Sequence, residues 1–129
     1  MDDDQIHIDD PVRVYLAEVG KVPPLTRAEE IIYIHHVRAG DQEAESAGRR
    51  LVEAHLNLVV AIAEQYRKHD IHILDLIQKG NEGLLHTLQT LREDDQSSFA
   101  EQATPHIENA IKRAIASPEQ IRPVHRENT

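Results

Sequence analysis

Apolar residues recur every three or four positions along most of this 129-residue chain, and this spacing constrains the fold more than any other feature. It predicts amphipathic helices, because residues three and four positions apart lie on one face of a helix. No segment shows the alternation of apolar and polar residues that is typical of a half-buried strand. The sequence therefore predicts an all-α fold, a compact bundle of about five helices.

Capping residues, glycine and proline mark the ends of these helices. Asp10-Pro11 predicts the first start and Gly20 the first stop. Thr26 to Glu29 and Ser98 to Glu101 are both typical of the capping box, in which two side chains satisfy free backbone N–H groups at a helix start. These signals place the starts of the first, second and fifth helices.

The remaining boundaries follow from the apolar stripes. We predict that the second helix ends near Gly40 and that one long third helix, capped by Asp41, runs to about His69. A fourth helix is predicted from about Ile73 to Leu91. Within the last stripe, Pro105 predicts a break or kink, because proline inside a helix costs about 3 kcal/mol.

The chain is expected to form one domain. We assign residues 1–8 to an acidic flexible leader, 9–117 to a single helical domain and 118–129 to an irregular tail. No apolar run approaches the roughly 18 residues that span a membrane, and no signal peptide is recognisable, so a cytoplasmic location without membrane association is expected.

The charge argues against an independent nucleic-acid module. The net charge is −9, with acids concentrated in residues 1–30, whereas such modules carry a basic stripe that contacts phosphates. We therefore expect weak or no binding to free DNA and a partner with a basic surface. The absence of cysteine excludes disulfides and thiolate metal sites.

Three strings go beyond a generic helical bundle. Residues 10–16 read DPVRVYL and are followed by LTRAEE at 25–30; residues 53–60 read EAHLNLVV and residues 74–84 read LDLIQKGNEGL; the end of the chain reads AIKRAIA at 110–116 and IRPVH at 121–125. In order and spacing they resemble the sigma-70 family of bacterial transcription initiation factors. The string at 74–84 is similar to the core-binding signature of that family, and the bundle resembles the family's core-binding domain.

The resemblance implies a partner and a set of docking residues. Members of the family dock on the coiled coil of the beta-prime subunit of RNA polymerase core. The corresponding polymerase-binding positions here are Leu74, Asp75, Gln78, Lys79, Asn81 and Leu85. Positions 74, 78, 81 and 85 recur at helical spacing and share one face, with Asp75 and Gln78 expected side by side on the surface. The alternative is that the leucines belong to the core and the polar residues are solvated.

The departures from the family concern mainly DNA. Of the aromatic row that holds unstacked bases in the family, only Phe99 remains, and the paired tryptophans fall on Pro105 and His106. The promoter-reading Arg-Gln pair is Glu108-Asn109 here. Four residues are kept as candidate DNA contacts: Arg13, Phe99, Lys112 and Arg113. At the docking string, Lys79 replaces a glutamate, which predicts weaker docking on a basic coiled coil.

The sequence thus favours a sigma-like protein that docks on RNA polymerase core, with impaired promoter melting. Two alternatives stay open: an active divergent sigma factor fragment that binds promoter DNA, and a sigma mimic that binds an anti-sigma protein or a helical scaffold. No catalytic set, phosphate loop or cofactor motif is recognisable, so an enzyme is not expected. Nine histidines are present, but none lies in a metal-binding motif, so no metal site is predicted.

Overall fold

The computed structural model describes residues 11–67, 70–93 and 97–117. The helices in this part of the chain are α1 (Pro11–Val19), α2 (Arg27–Ala39), α3 (Ala44–Glu53), α4 (Leu56–Gln65), α5 (Ile73–Thr87) and α6 (Phe99–Ala116). The all-α fold class is confirmed. The predicted leader, the Asp10 cap and the predicted tail lie outside the described residues.

Both predicted capping boxes are confirmed, whereas the predicted Asp41 cap is wrong, because α3 begins after Glu43 and has no side-chain cap. Thr26 Oγ1 accepts a hydrogen bond from the Glu29 N–H at 3.1 Å, and the Glu29 carboxylate accepts one from the Thr26 N–H at 2.9 Å. Ser98 and Glu101 form the same reciprocal pair at the start of α6. Gly40 ends α2 in the left-handed conformation, with φ at 63°, which glycine adopts without steric cost. These side chains therefore fix the helix ends from the sequence alone.

The predicted long third helix is wrong, because the chain breaks between α3 and α4. His55 is not helical, with φ at −121°. Its Nδ1 donates to the Leu51 carbonyl at 2.7 Å, the group that the His55 backbone N–H would bind in a continuous helix. The backbone N–H bonds the Val52 carbonyl instead, so the side chain replaces one helical hydrogen bond and the chain turns.

The predicted break at Pro105 is also wrong, because α6 continues through it. Pro105 lacks the N–H that would bond the Glu101 carbonyl, a loss that an exposed residue such as Glu101 tolerates. Thr104 does not cap a new helix; its hydroxyl donates to the Ala100 carbonyl at 2.8 Å. The helix persists because one face is buried on both sides of the proline, at Phe99, Ala103, Ile107, Ala110, Ile111 and Ala114.

Helices α5 and α6 form the tightest contact of the bundle, and two glycines make it possible. A Cβ at Gly83 would overlap the backbone of His106 and Ile107, and a Cβ at Gly80 would lie 2.6 Å from Val59 Cγ1. Helix α4 packs against both helices, and α1 against α4 and α5. The largest fully buried apolar side chains of this core are Leu51, Val59, Leu76, Ile77, Leu84, Phe99, Ile107 and Ile111.

A buried charged cluster joins α2 to the start of α6. Glu30 is only 7% exposed, and its Oε1 accepts from Arg27 Nη1 at 2.6 Å and from the Phe99 N–H at 3.2 Å. His55 Nε2 lies 3.6 Å from Glu30 Oε2. The carboxylate thus satisfies a backbone donor at the helix start that would otherwise be buried without a partner.

Candidate docking surface

All six predicted polymerase-binding residues lie on α5. This helix begins at Ile73, where the sequence predicted it, and ends at Thr87, earlier than predicted. Its cap is His72, whose Nδ1 accepts a hydrogen bond from the Leu74 N–H at 3.1 Å. Histidine is not among the usual capping residues, so this cap could not be predicted from the sequence.

Two of the six residues are accessible to a partner. Gln78 is exposed, and Leu85 is 53% exposed. They are seven residues apart, two helical turns along the same side of α5. Leu74 lies on this side as well but is half-buried and packs against the core. The structure therefore places a polar and an apolar group on one accessible face.

Asp75 does not belong to this accessible face. It is only 4% exposed, so the predicted surface pair of Asp75 and Gln78 is wrong. Its place in the first turn of α5 explains how a carboxylate is tolerated there, since the N-terminus of a helix carries partial positive charge. A partner could not reach this side chain without a rearrangement of the helices around it.

Asn81 serves partly as an internal contact. Its Nδ2 donates to the Tyr15 hydroxyl at 3.3 Å and so links α5 to α1. The amide oxygen is buried and lacks a hydrogen-bond partner among the described residues. Asn81 thus positions α1 beside the docking face rather than standing free on it.

Lys79 is partly neutralised within the helix. Its Nζ lies 3.7 Å from Glu82 Oε2, one turn further on, and its side chain is 26% exposed. An ion pair of this kind at the surface contributes about 0.2–1 kcal/mol. The reversed charge at this position is therefore present but screened by its neighbour.

An apolar groove of about 590 Å³ adjoins Leu85, between α2, α3 and the end of α5. Its walls include Val37, Val52 and Leu88, and its floor includes Gly48. Charged side chains of Glu45, Arg49 and Glu53 also line it. Leu85 belongs both to this groove and to the exposed face of α5. The groove therefore extends the accessible apolar surface beyond the Leu85 side chain.

The candidate DNA contacts divide into two groups. Phe99 is fully buried, and its ring packs against His55 with centroids 4.7 Å apart, so its proposed stacking on a base is wrong for this structure. Arg13, Lys112 and Arg113 are exposed. Only the three cations are thus in a position to meet a phosphate.

Gln102, in the first turn of α6, forms two internal hydrogen bonds. Its side chain accepts from the Arg92 N–H at 2.9 Å and donates to the Arg92 carbonyl at 3.1 Å. It is 5% exposed and holds the segment between α5 and α6 in place. Because both the oxygen and the nitrogen of the Gln102 amide form these hydrogen bonds, the side chain is not available to bind a base.

Residues 11–67, 70–93 and 97–117 contain no group of three or more histidine, aspartate or glutamate side chains that could hold a metal ion. None of the helices within the same residues is both long and apolar enough to cross a membrane.

Comparison with protein families gives two matches. Residues 10–43 match the model described as sigma-70 factor, region 1.2, and residues 51–119 match the model described as sigma-70 region 2. The first match covers α1 and α2, and the second covers the described part of the chain from Leu51 through α6. The boundary between the two matches falls within α3.

Individual relatives agree with these models. The chain is 44% identical over 111 residues to an RNA polymerase sigma factor SigA from a Bacillus species and 46% identical over 111 residues to that of Clostridium acetobutylicum. Identity to the SigA protein of Listeria monocytogenes is 45% over the same length. These alignments cover 86% of this chain but only 29% of each relative, so the chain spans less than a third of their length.

Proposed function

The chain belongs to the sigma-70 family, and we propose that it docks on the RNA polymerase core through the exposed face of α5, against the coiled coil of the beta-prime subunit. One observation carries the proposal: Gln78, within the string that resembles the family's core-binding signature, and Leu85, directly after it, are both exposed on one side of the helix. An exposed leucine next to an apolar groove favours a protein partner, since such patches mark interaction sites.

The chemistry of this face suits a helical partner. Leu85 and the groove beside it would bury apolar side chains of the coiled coil, while the Gln78 amide would accept from an arginine or donate to a backbone carbonyl. Asn81 contributes indirectly, by linking α5 to α1. The proposed contact is therefore narrower than the six residues predicted from the sequence.

We also propose that the protein influences transcription initiation without melting promoters efficiently. Base capture requires exposed aromatic faces. Here Phe99 is buried, and His106, on which a tryptophan of the family falls, makes an internal hydrogen bond instead. The proposed role is that of a binding protein that occupies the core or modulates its use.

Calorimetric binding of the 129-residue protein to an isolated beta-prime coiled-coil fragment tests the docking proposal. We expect a Kd of about 1 µM or tighter, weakened by about tenfold or more in Leu85→Glu, because the charge would be buried in the contact. Gln78→Ala should weaken binding by a smaller factor. Ile32→Glu is the matched control, because Ile32 lies on α2 and is also 53% exposed.

Three outcomes are informative. Loss of binding in Leu85→Glu but not in Ile32→Glu supports docking through α5. Equal loss in both variants would point to general charge effects and contradict the proposed face. No binding by the unmodified protein would refute docking on this coiled coil, and the same variants would then be tested against an anti-sigma protein.

A second candidate function is supported by the exposed cations near the end of α6. Lys112 and Arg113 are both exposed, and the described residues supply neither with an ion-pair partner. They could contact promoter phosphates once the core enzyme holds the DNA nearby. Fluorescence anisotropy with labelled promoter DNA and core enzyme should then show binding that weakens with added salt and with Lys112→Gln. Salt-independent binding, or identical affinity of the variant, would exclude this contact.

A further inference from the structure

Two imidazole rings meet between α5 and α6. The ring centroids of His86 and His106 are 4.8 Å apart, with the planes inclined by 81°, so that one ring presents its edge to the face of the other. His106 Nε2 also lies 3.1 Å from the Thr90 hydroxyl. The two rings and this hydrogen bond therefore connect the end of α5 to the middle of α6.

The backbones of α5 and α6 are closely packed at this point. Gly83 lies directly under His106, where an added Cβ would overlap the His106 carbonyl. His86 is one turn beyond Gly83, so the two rings emerge from the closest approach of the two helices. His86 is exposed and His106 is half-buried, so a force between the rings would act at the edge of this helix contact.

The charges around the rings are few. The rings border a polar cleft of about 390 Å³, to which α5 contributes Glu82 and His86 and α6 contributes His106, Asn109 and Arg113. Glu82 is also paired with Lys79 at 3.7 Å, so its charge is shared. Arg113 is the cation that α6 contributes to the cleft. Each proton added to a ring makes the cleft more positive.

We infer that His86 and His106 form a pH-sensitive contact, which holds α5 and α6 together while both rings are neutral and loosens when they are protonated. The inference goes beyond docking and does not depend on it, because it concerns the packing between two helices. Protonation would replace a favourable edge-to-face contact by repulsion between two cations, with Arg113 adding a third positive charge in the same cleft.

The surroundings of His106 agree with this direction. Burial and, to a smaller degree, the neighbouring His86 lower the pKa of His106 below its ordinary value of 6.5. A proton then binds more tightly to the unfolded chain than to the folded one. The contribution to the free energy of unfolding is present above pH 6.5 and is lost as the pH falls towards the lowered pKa.

An NMR pH titration of the imidazole signals in the full chain tests the inference. In the unmodified protein, His106 should titrate below its ordinary range. In His86→Gln its titration midpoint should shift upwards, because the neighbouring charge is removed while the burial remains. His35→Gln is the matched control: it removes a histidine from α2 and should leave the His106 midpoint unchanged.

Backbone amide shifts supply a second readout that distinguishes a helix contact from an isolated ring. Amides of residues 82–90 and 103–110 should shift with the same midpoint as His106, whereas amides of α2 should not follow it. A normal His106 midpoint, or a midpoint that His86→Gln leaves unchanged, would overturn the inference. Amides that ignore the His106 titration would overturn the proposed effect on helix packing.

Discussion

The two sides of helix α5 are built from one continuous sequence string and differ in almost every physical respect. The side towards α6 carries Gly80, Gly83 and Leu84, packed so closely that a Cβ at either glycine would meet atoms of neighbouring residues. The opposite side presents Gln78 and a half-exposed Leu85 beside an open groove. Part of the string that resembles a docking signature therefore serves helix packing. Only the residues on the exposed side can contact a partner and contribute to its recognition.

Neighbouring leucines provide the largest expected contrast. Leu84 is fully buried and Leu85 is 53% exposed, although they are adjacent in sequence. Leu84→Ala should lower the free energy of unfolding by about 2–5 kcal/mol, since it leaves a cavity in the core. Leu85→Ala should change it by less than about 0.5 kcal/mol and weaken only partner binding. Urea denaturation of both variants checks this, and similar losses would abolish the distinction between the two sides.

Glycines give the next contrast. Gly83→Ala should destabilise the protein by about 1–3 kcal/mol or more, because the new methyl group meets backbone atoms that cannot move aside. Gly48→Ala, in α3, places its methyl group 3.2 Å from the mobile tip of Leu88 at the open groove. There the gain in helix propensity, about 1 kcal/mol, should make the change neutral or stabilising. Thermal unfolding of both variants checks this prediction. If Gly83→Ala lowered the Tm no more than Gly48→Ala does, the close contact of α5 and α6 would be contradicted.

The sequence predicted most of what depends on local signals. Both capping boxes, the stop at Gly40 and the buried face of α6 follow from side chains within one or two helical turns. The errors at His55 and Pro105 arose where local preference competed with another contact. The His55 side chain forms a hydrogen bond with the Leu51 carbonyl in place of the backbone N–H. At Pro105, the burial of the helix face outweighs the missing hydrogen bond.

The candidate site was harder to predict, because helical spacing places residues on a face without saying whether another element covers it. Gln78 and Leu85 are accessible, whereas Asp75, Asn81 and Phe99 are engaged inside the bundle. The Glu30 cluster joins residues far apart in the chain and leaves no periodic signal.

The Glu30 cluster offers a third test, because it contains a carboxylate that is buried inside the bundle. Glu30→Ala should lower the free energy of unfolding by about 1–3 kcal/mol, because the buried N–H of Phe99 loses its acceptor. Glu30→Gln should restore part of this, as an amide oxygen also accepts. Glu18→Ala, which breaks an exposed pair with Lys21, should cost less than about 1 kcal/mol. Equal effects of Glu30→Ala and Glu18→Ala in urea denaturation would show that the cluster does not stabilise the fold.

The smallest expected effect lies at the rim of the docking face, where Lys79 replaces the glutamate typical of the family. If the partner helix is basic, Lys79→Glu should strengthen binding about fivefold, which corresponds to about 1 kcal/mol. The new like charge beside Glu82 should cost only a few tenths of a kcal/mol in stability. Lys21→Glu makes the same charge change just after the end of α1, so it reports the general effect of net charge. Weaker binding by Lys79→Glu than by Lys21→Glu would instead mean that the partner presents an acid to Lys79, and that this chain recognises a surface of opposite charge from the one its family resemblance implies.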